Sequence, residues 1–446
     1  MQFDSLIGHT YEILKLTYLE LKKSHGIPPD SMLDLFFRGK KYLGSNDRRF
    51  IAENVYNSIR FFHKRIKIIE ETVKYFPFSL SDDEKLFFVL ILNFQDENLS
   101  IRSLIEISNY FIQNKRLTPY LSQIIPVLFE SSINIEFDLI KSLAFEYSFL
   151  EWVIKKLIMQ FGEDETRQLC ESLNKQAPIN IRVNTLKTTV EECQKRLELD
   201  GVETYRTDYA PYGLKLTKRI NVFTLKAFRE GLFEVQDEGS QLLVHLTDPK
   251  PTYKILDACA GAGGKSLAFS SIMKNRGELY ATDINLVRLN KLKKRARRAG
   301  AHNIRIKHVK SLKLLQREFE SFFDIVFVDS PCTGLGTLRR NPGFKISVTE
   351  KTLRDIIKRQ ELILKQVAPL VKVNGLMVYA TCSILIEENE NQVEKFLNSH
   401  ENFELTFAPN SELANKLKIN GPWYKILPHK HHTDGFFCAF MKRIFY

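Results

Sequence analysis

A cluster of glycines between an apolar run and a helical pattern is the feature that most constrains the fold of this chain. The apolar residues Ile255 and Leu256 lead into the turn Asp257 to Gly264, and Lys265 to Lys274 then has the pattern of a helix. Glycines in such a turn let the backbone adopt positive φ and approach a ligand closely, while the helix start presents N–H groups with partial positive charge. The order of strand, tight turn and helix therefore predicts a nucleotide-type site.

Three kinds of ligand fit a turn of this kind: a dinucleotide, a nucleoside triphosphate, or the amino-acid end of S-adenosylmethionine. The phosphate-binding pattern G-x-x-x-x-G-K-[ST] would need glycine where Cys259 stands. The dinucleotide pattern G-x-G-x-x-G would need glycine where Ser266 stands. Each pattern fails by one residue, so the turn alone leaves the ligand open and residues further along the chain must decide.

Alternating strand and helix patterns follow the turn. Gly277 to Asp283 has the pattern of a strand that ends in a carboxylate, which is placed to accept hydrogen bonds from ribose hydroxyls. Leucine and alanine at helical spacing predict a helix from Leu286 to Ala299, and Gly300 ends it. Two more buried strands are predicted at Asn303 to Val309 and at Phe323 to Asp329. This alternation predicts an open parallel sheet that binds ligands at the carboxyl ends of its strands.

Two later loops each carry a cysteine directly after a predicted strand. Asp329 to Cys332 reads Asp-Ser-Pro-Cys, a helix is predicted from about Thr349 to Val371, and the strand that begins at Gly375 ends in Thr-Cys-Ser, with Cys382 in the middle. We expect both cysteines at the same sheet edge as the glycine turn, because parallel strands end on one side. A lone cysteine is usually a small buried hydrophobe, whereas this pair favours chemistry. The cysteines outside any motif are interpreted as core or incidental residues: Cys170, Cys193 and Cys438.

Taken together, these motifs resemble the Nol/Nop/Sun family of RNA cytosine-5 methyltransferases. The family's marks are a turn ending in Gly-Gly-Lys, here Ala262 to Lys265, an Asp-x-Pro-Cys loop, here Asp329 to Cys332, and a Thr-Cys-Ser loop, here Thr381 to Ser383. The resemblance implies an enzyme that transfers a methyl group from S-adenosylmethionine to carbon 5 of a cytosine in RNA, with 16S ribosomal RNA as the expected substrate. It implies cofactor contacts from Cys259, Ala260, Gly261, Ala262, Gly263, Gly264, Lys265, Asp283 and Asp329.

The resemblance also assigns catalytic roles to three side chains. Carbon 5 of cytosine is a poor nucleophile, so a thiolate first adds to carbon 6 and makes an enamine that attacks the methyl group. The carbon 5 proton then leaves and the thiol is eliminated. In the family pattern Cys382 attacks, Cys332 takes part in resolving the covalent adduct, and Asp329 holds or protonates the base at its ring nitrogen. The spacing alone allows the reverse assignment, in which Cys332 attacks.

Two positions depart from the family pattern. Ala262 stands where the family commonly has proline, which relaxes the turn without removing its glycines. Lys310 stands about where the family has a third acidic residue on the cofactor side. The acidic side chain that would recognise adenine is therefore absent, although a backbone N–H could still contact the ring.

The chain is predicted to form three domains. Residues 1–150 hold few glycines and many amphipathic helical patterns, which predict an all-α domain. Within it, residues 37–56 are similar to the NusB-like RNA-binding domain that precedes the catalytic part in family members acting on ribosomal RNA. Residues 151–247 mix strand and helix patterns, which predict a small α/β adaptor that contacts RNA. Residues 248–446 are predicted to form the Rossmann-like catalytic domain, a mostly parallel sheet closed by an antiparallel edge strand at Phe436 to Met441.

Several other motifs have two interpretations. In the adaptor, Arg182 to Lys187 and Val235 to Gln241 recur in the family's small domain, which predicts RNA contact and docking. Gln236 and Asp237 could instead only cap the next helix. Lys291 to Arg298 could follow a phosphate backbone, but its leucine and alanine stripe favours a solvated helix face. In the first domain, one predicted helix has a basic face that suits RNA or could be only a solvated face, and no single member is assigned to RNA: Arg48, Arg49, Arg60, Lys64 and Arg65.

The chain is strongly basic, with a formal net charge of +12 and an isoelectric point of about 9.2. This balance suits a phosphate-rich partner such as RNA. Neither a membrane span nor a signal peptide is predicted, because no apolar run of about eighteen residues occurs and the first residues lack a basic segment followed by an apolar one. The six scattered cysteines fit a reducing compartment, and the protein is expected to be cytoplasmic and monomeric. No metal site is predicted, because His429 to His432 lack cysteine or acid partners at ligand spacing.

Other functions remain open at this point. The chain could be a non-enzymatic RNA-binding factor in ribosome assembly, with its methyltransferase domain as a scaffold. Loss of Cys382 or Cys332 would favour that function, and both are present. A P-loop NTPase acting on RNA would bind ATP instead, and Cys259 disfavours it. The same methyl transfer on another RNA, such as tRNA, is a further alternative.

Overall fold

The chain forms two compact units. The structure is a computed structural model, and it describes residues 2–23, 26–96, 99–112, 114–130 and 138–445. One unit comprises Met1–Asn174 and Arg340–Glu350, and the other comprises Lys175–Arg339 and Lys351–Tyr446. Parts of the predicted helical domain therefore lie outside the described residues. The predicted boundaries after residues 150 and 247 remain predictions.

The first unit is helical, as the amphipathic patterns of residues 1–150 predict. The apolar positions Ile51, Val55 and Ile59 recur every fourth residue and are all buried on one face of one helix. No helix in the described ranges is long and apolar enough to cross a bilayer. The α-helices are Phe3–Leu21, Pro29–Gly39, Ser45–Arg60, Phe62–Val73, Asp82–Ile91, Ile101–Phe111, Leu121–Glu130, Leu139–Tyr147 and Glu151–Asn174, and the 3-10 helices are Leu92–Asp96 and Thr118–Tyr120.

Two residues of the predicted basic helix face are buried instead of exposed. One helix ends at Arg60 and a new one begins at Phe62, so a helix face extrapolated through this point does not continue. Arg60 is 7% exposed and Arg65 is 8% exposed. The Arg65 guanidinium donates to the side chain of Asn93 and to the carbonyl of Val89. Both arginines are therefore parts of the core rather than of a phosphate-binding face.

The segment Arg340–Glu350 belongs to the first unit, although it follows the first cysteine loop in the sequence. It contains one helical turn, Phe344–Ser347. Gly343 packs closely against Leu21, whose Cδ2 atom lies 2.8 Å from the place that a Cβ would take. Ile346 packs against the apolar core of the unit. A piece of chain far along the sequence thus completes the helical unit.

Lys345 in this segment is buried, with 3% of its surface exposed. Its ammonium donates to the side-chain oxygen of Asn174 at 2.6 Å and to the carbonyls of Tyr147 and Arg60 at 3.0 and 3.2 Å. Each acceptor belongs to the last residue of a helix, where the backbone carries partial negative charge. Burial lowers the pKa of Lys345 well below its ordinary value, but three acceptors match the three donors of its ammonium. One lysine therefore joins three helix ends.

A small antiparallel sheet opens the second unit. Its strands are β1 (Asn180–Val183), β2 (Thr204–Arg206), β3 (Gly213–Leu216) and β4 (Phe233–Val235). They lie in the order β2-β3-β1-β4. The helices of this part are Val190–Leu199, Lys226–Arg229 and the 3-10 helix Val222–Thr224. The mixed strand and helix patterns of this region therefore correspond to a small α/β layer.

The motif Arg182 to Lys187 makes contacts inside the second unit. The amide of Asn184 donates to the carbonyls of Gly231 and Ala299, each at 2.8 Å. The Lys187 ammonium donates to the carbonyl of Arg298 at 2.7 Å. The motif thereby docks the small sheet onto the end of a helix that packs on the larger sheet.

The larger sheet of the second unit has eight strands. They are β5 (Lys254–Asp257), β6 (Glu278–Asp283), β7 (Ile304–His308), β8 (Phe323–Asp329), β9 (Val371–Thr381), β10 (Phe403–Thr406), β11 (Tyr424–Ile426) and β12 (Phe436–Arg443). The order is β10-β12-β9-β8-β5-β6-β7, and β11 also pairs with β12. Strands β5 to β9 are parallel, whereas β12 is antiparallel to each of its partners. The predicted parallel sheet is confirmed as the main part of a mixed sheet.

Helices connect these strands. In the helix predicted from Leu286 to Ala299, four apolar residues at helical spacing are buried, whereas Leu286 is exposed: Leu289, Leu292, Ala296 and Ala299. The α-helices are Glu238–Thr247, Gly264–Ile272, Leu286–Ala299, Gln316–Phe319, Glu350–Val367, Glu390–Ser399, Ser411–Lys416 and Pro428–His431. The 3-10 helices are Leu312–Leu315, Leu335–Thr337, Ala368–Leu370 and Ile386–Glu388.

Two predictions about the position of strands in this sheet are wrong. Phe436 to Met441 forms an antiparallel strand as predicted, but it is not the edge, because Phe403–Thr406 pairs with its far side. All six of these side chains are buried, as is typical of an interior strand. The strand predicted as buried at Asn303 to Val309 is instead an edge strand, β7, whose side chains are partly or largely exposed.

Candidate active site

Four strands of the larger sheet end in polar residues at the same edge. β5 ends at Asp257, β6 at Asp283, β8 at Asp329 and β9 at Thr381. These strands are parallel, so their carboxyl ends lie on one side of the sheet. The glycine turn follows β5, and the two cysteine loops follow β8 and β9. The structure thus brings together the three motifs on which the family resemblance rests.

Two glycines explain the sequence of the turn after β5. Gly263 has a φ of +83°, and a Cβ there would lie 2.0 Å from the Cδ1 atom of Leu292 in a neighbouring helix. Gly261 has a φ of +55°, and no atom of the described residues lies within 4 Å of the place that its Cβ would take. Gly263 therefore lets the turn pack against the helix, while Gly261 borders open space of the kind that a bound ligand needs.

Asp283 is held firmly at the end of β6. One carboxylate oxygen accepts the N–H of Gly261 at 2.9 Å, and the other accepts the N–H of Asn285 at 2.7 Å. The Gly261 N–H is therefore not among the donors that the turn offers to a ligand. Each carboxylate oxygen can accept a second hydrogen bond, so the predicted contact with ribose hydroxyls is compatible with this geometry.

Asp257, which the sequence patterns did not single out as a site residue, lies at the end of β5 beside the turn. Its Oδ2 accepts the Ser266 hydroxyl at 2.6 Å, whereas its buried Oδ1 has no hydrogen-bond partner in the described part of the chain. Burial raises the pKa of Asp257 to about 7. A buried acceptor without a partner fits an ammonium group, which the amino-acid end of S-adenosylmethionine carries. The residues present therefore fit this cofactor.

Two arginines hold the outer side of the turn. Arg182 in β1 donates to the carbonyl of Gly264 at 2.8 Å and to the side chain of Gln236. Arg295 donates to the carbonyl of Ala262 at 2.7 Å. Burial lowers the pKa of Arg182 to about 10, so it stays charged at neutral pH. Arg182 belongs to a motif shared with the family, and that motif is the signal from which this role could have been found.

The predicted basic cluster Lys291 to Arg298 divides into structural and exposed residues. Arg295 and Arg298 both pair with the carboxylate of Glu234, whose side chain is only 4% exposed. The exposed members form a solvated face: Lys291, Lys293, Lys294 and Arg297.

The remaining predicted cofactor residues lie at the start of the turn. The N–H of Ala260 donates to the carbonyl of Thr282 at 2.9 Å, and its own carbonyl accepts the N–H of Gly263 at 2.8 Å. Burial raises the pKa of Cys259, so this thiol keeps its proton. The side chain of Cys259 is therefore an uncharged part of the turn and not a reactive group.

Lys265 and Asp329 connect the glycine turn to the first cysteine loop. The Lys265 ammonium lies 2.5 Å from Oδ2 of Asp329. Burial by itself would lower the pKa of Lys265, but the Asp329 carboxylate outweighs it and the pKa is raised. Lys265 and Asp329 are both predicted cofactor contacts, and in the structure the charged end of Lys265 pairs with Asp329.

Cys332 and Cys382 meet where the two loops approach each other. Their Sγ atoms are 3.2 Å apart, and the N–H of Cys382 donates to the sulfur of Cys332 at 3.3 Å. The loops are also joined by a backbone hydrogen bond from the N–H of Gly336 to the carbonyl of Cys382 at 2.9 Å. Two thiols at this distance can both reach one atom of a bound base.

The two sulfurs interact directly, and this contact affects the protonation of Cys332. The hydrogen bond with Cys382 and burial together hold the pKa of Cys332 well above its ordinary value. Cys332 therefore remains a thiol at neutral pH and can donate a hydrogen bond to the sulfur of Cys382.

Asp237 and His431 each accept a hydrogen bond from a backbone N–H group. The carboxylate of Asp237 accepts the N–H of Gly239 at 2.8 Å and so caps the helix that follows, as the alternative interpretation predicts. His431 is buried and its Nδ1 accepts the N–H of Leu427 at 2.9 Å. No group of three or more metal-ligating side chains occurs among the described residues. The three cysteines outside the motifs are buried and free: Cys170, Cys193 and Cys438.

Comparison with protein families agrees with this geometry. A family model described as 16S rRNA methyltransferase RsmB/F matches residues 244–442. A second model, described as the RsmF/B-like methyltransferase ferredoxin-like domain, matches residues 150–223. The second match covers the small antiparallel sheet through β3.

Individual relatives are similar over most of their length. The probable ribosomal RNA small subunit methyltransferase B of Synechocystis sp. is 35% identical over 305 residues, which cover 68% of each chain. The protein of the same name from Bacillus subtilis is 31% identical over 308 residues, which cover 69% of each chain. The crystal structure of PH0851 has a TM-score of 0.80 and 28% identity, and covers 99% of each chain.

These matches confirm the predicted resemblance to Nol/Nop/Sun-type methyltransferases and the predicted methyl donor, S-adenosylmethionine. The chain belongs to the RsmB/F family of 16S rRNA methyltransferases.

Proposed function

We propose that this protein methylates carbon 5 of a cytosine in 16S ribosomal RNA through a covalent bond between Cys382 and carbon 6 of the base. The observation that carries the proposal is the pair of cysteine sulfurs, 3.2 Å apart at the sheet edge that also bears the glycine turn. The names of the relatives support ribosomal RNA as the substrate class.

Cys382 is the nucleophile in this proposal. A thiolate is the reactive form of cysteine, and a hydrogen bond from the protonated Cys332 stabilises negative charge on the Cys382 sulfur. Lys265 contributes positive charge nearby, because a charge on Cys382 is among the causes that raise the pKa of Lys265. In this proposal Cys382 attacks as the thiolate while Cys332 keeps its proton.

Asp329 orients the base. Lys265 fixes one of its carboxylate oxygens, so the other can face the ring nitrogen or the exocyclic amine of cytosine. A fixed acceptor at this point distinguishes cytosine, which presents an amine, from uracil, which presents a carbonyl.

In the proposed reaction, each bond that forms at carbons 5 and 6 of the base is matched by a bond that breaks. The Cys382 sulfur bonds to carbon 6, and the electron pair of the double bond between carbons 5 and 6 moves to carbon 5. When bound, S-adenosylmethionine would supply an electrophilic methyl group, which would bond to carbon 5 while its bond to the sulfonium sulfur breaks with the electron pair on that sulfur. The carbon 5 proton then leaves to solvent, the double bond forms again, and the bond from carbon 6 to sulfur breaks with its electron pair on Cys382. The Cys332 thiol donates a hydrogen bond to the departing sulfur.

The other parts of the chain have roles in binding RNA in this proposal. Residues 1–150 form a NusB-like RNA-binding domain, residues 151–247 form an adaptor that contacts RNA, and residues 248–446 form the catalytic domain. The net charge of +12 supports a polyanionic partner. The protein acts as a cytoplasmic monomer in this proposal.

Covalent trapping tests the roles of the cysteines. Cys382→Ala should abolish both methyl transfer and the covalent adduct, because the enamine never forms. Cys332→Ala should stop turnover but leave protein bound to RNA, since Cys382 still adds and its departure is no longer assisted. Denaturing gels of each variant, incubated with 16S ribosomal RNA and S-adenosylmethionine, measure the adduct.

Three results would contradict the proposal. A shifted band with Cys382→Ala and none with Cys332→Ala would show that the two roles are exchanged. Methylation by the double variant would exclude a cysteine mechanism. An unmodified RNA with the wild-type protein would favour the scaffold function in ribosome assembly, and bisulfite sequencing of ribosomal RNA with and without the gene measures this in cells.

A further inference from the structure

The buried carboxylate of Glu388 lies between the two cysteine loops. Its Oε1 accepts the backbone N–H of Thr333 at 2.8 Å, and its Oε2 accepts the hydroxyl of Thr333 at 2.6 Å. The same Oε2 also accepts the hydroxyl of Ser383. Thr333 directly follows Cys332, and Ser383 directly follows Cys382. One side chain therefore bonds to the residue after each cysteine.

The position of this carboxylate is itself fixed. Gln360 donates from its amide to Oε1 of Glu388 at 3.2 Å and to the carbonyl of Pro331 at 3.0 Å. The next residue, Asn389, donates to the carbonyl of Ser383 at 3.1 Å. Glu388 has 0% of its surface exposed, so no water competes for these bonds.

We propose that Glu388 is a positioning residue that sets the distance between the two cysteine sulfurs, and that the reaction depends on it through this distance. The inference rests on the proposed function, in which Cys382 adds to the base and Cys332 assists its departure. Glu388 acts on the two sulfurs through Thr333 and Ser383, the residues to which its carboxylate is bonded.

Backbone hydrogen bonds between the two cysteine loops fix only part of the loop that contains Cys332. The N–H of Ser330 donates to the carbonyl of Ala380 at 2.8 Å, and the N–H of Gly336 donates to the carbonyl of Cys382 at 2.9 Å. These bonds hold the first loop before and after its cysteine. The turn that contains Cys332 is held by the two hydrogen bonds that Thr333 donates to the carboxylate of Glu388.

An acid suits this position better than an amide or a hydroxyl. Four donors point at the two oxygens, and a carboxylate is the side chain that only accepts hydrogen bonds. Its negative charge is also one of the causes that hold the pKa of Cys332 above its ordinary value, after the bond to Cys382 and burial. Glu388 therefore affects both where the Cys332 sulfur lies and whether it keeps its proton.

Disulfide formation measures the distance between the sulfurs without RNA or cofactor. Diamide accepts two electrons and two protons from the two thiols and becomes the corresponding hydrazine, while a sulfur–sulfur bond forms. Mass spectrometry of the digested protein identifies the peptide pair that contains Cys332 and Cys382. The rate of this reaction depends on how often the two sulfurs meet in the native state.

Two substitutions separate the contributions of Glu388. Glu388→Gln keeps the shape and one acceptor oxygen, and the hydroxyls of Thr333 and Ser383 can turn to accept from its amide. It should form the disulfide at a rate within about threefold of wild type. Glu388→Ala removes all the bonds and should form it about tenfold more slowly. Asp324→Ala is the matched control, because the partly buried Asp324 also accepts a backbone N–H, of Lys254, and binds the ammonium of Lys372 at the start of β8, at the opposite end of this strand from the cysteine loop.

Methyl transfer tests the consequence for the reaction. With Glu388→Ala, kcat should fall about 100-fold while KM for RNA changes little, because misplacing a reacting group affects the chemical step. Glu388→Gln should recover most of this loss. Urea unfolding of each variant verifies that the kinetic constants of the variants and the wild type are compared for folded protein.

The possible results distinguish a failure of the proposal for Glu388 from a failure of the proposed function. A wild-type disulfide rate in folded Glu388→Ala would overturn the proposal, as would an equal loss of kcat in Asp324→Ala. If the wild-type protein methylates no RNA, the proposed function fails, and the disulfide rates still decide whether Glu388 positions the sulfurs.

Discussion

The ammonium of Lys265 lies 2.5 Å from Oδ2 of Asp329, and this pair links the glycine turn to the loop that carries Cys332. The Lys265 side chain is 10% exposed and the Asp329 side chain is 32% exposed. A pair at this depth is poorly screened by salt, so it couples two loops that come from different strands. The cofactor side and the base side of the site are thereby held in one arrangement.

This link should be visible as a coupling energy. In a double-mutant cycle with Lys265→Met and Asp329→Asn, we expect a coupling of about 1 to 3 kcal/mol in the free energy of unfolding. The exposed pair of Lys395 and Glu361, at 2.8 Å, is the control and should give less than about 1 kcal/mol. Urea unfolding of the four proteins in each cycle measures both values, and equal couplings would contradict the role of the Lys265 pair.

Asp283 should contribute strongly to cofactor affinity. We expect Asp283→Ala to weaken binding of S-adenosylmethionine by roughly 1.5 to 3 kcal/mol, the scale of a hydrogen bond to a charged group. The loss includes the N–H of Gly261, which would no longer be held by the carboxylate. Isothermal titration calorimetry measures the affinity, and Asp355→Ala on an exposed helix face is the control. Unchanged affinity, or tight binding of ATP, would show that the site is assigned to the wrong ligand.

His245 should make the stability of the second unit depend on pH. Burial lowers the pKa of His245 from 6.5 to about 4 in the folded chain. Between these two values the unfolded chain binds a proton that the folded chain does not, so the free energy of unfolding falls as the pH falls. This stability is fully present above about pH 6.5, and about 2 kcal/mol of it should be lost by pH 5.0.

Substitution isolates this group from other histidines. Urea unfolding at pH 7.5 and at pH 5.0 should show a smaller difference in His245→Gln than in the wild type. His302→Gln, an exposed position, should keep the wild-type difference. A pH dependence that His245→Gln leaves unchanged would show that other groups cause it.

Truncation should separate RNA binding from cofactor binding. Removing residues 1–150 should weaken RNA binding, because the proposed NusB-like domain is lost, and wild-type affinity should fall steeply with salt. Binding of S-adenosylmethionine should remain nearly intact, since Asp257, Asp283 and the glycine turn all lie in the second unit. Filter binding at several salt concentrations and calorimetry measure the two affinities.

This truncation needs one control. It removes two of the three acceptors of Lys345, the carbonyls of Arg60 and Tyr147, and leaves a buried ammonium without them. Combining the truncation with Lys345→Met removes that unpaired charge. Loss of cofactor affinity in both truncated proteins would show that the boundary at residue 150 is wrong.

Local sequence patterns determined the main elements of the catalytic sheet and the positions of its motifs. The strand Phe323–Asp329 has the predicted limits, and the helix Leu286–Ala299 ends at Gly300, whose φ is +71°. These features depend on residues close together in the chain: apolar periodicity, a glycine at a left-handed position, and the order of strand and helix. The same order places both cysteines at one edge, because parallel strands end on one side.

Only the tertiary structure decided which polar residues are buried between these elements. Glu388 and Lys345 have partners far away in the sequence, and their residue types are usually exposed, so no local pattern marks them. The interior position of β12 was decided in the same way, because it depends on pairing with Phe403–Thr406. The motif order places Cys332 and Cys382 at the same sheet edge, whereas the 3.2 Å between their sulfurs results from contacts that fold two separate loops against each other.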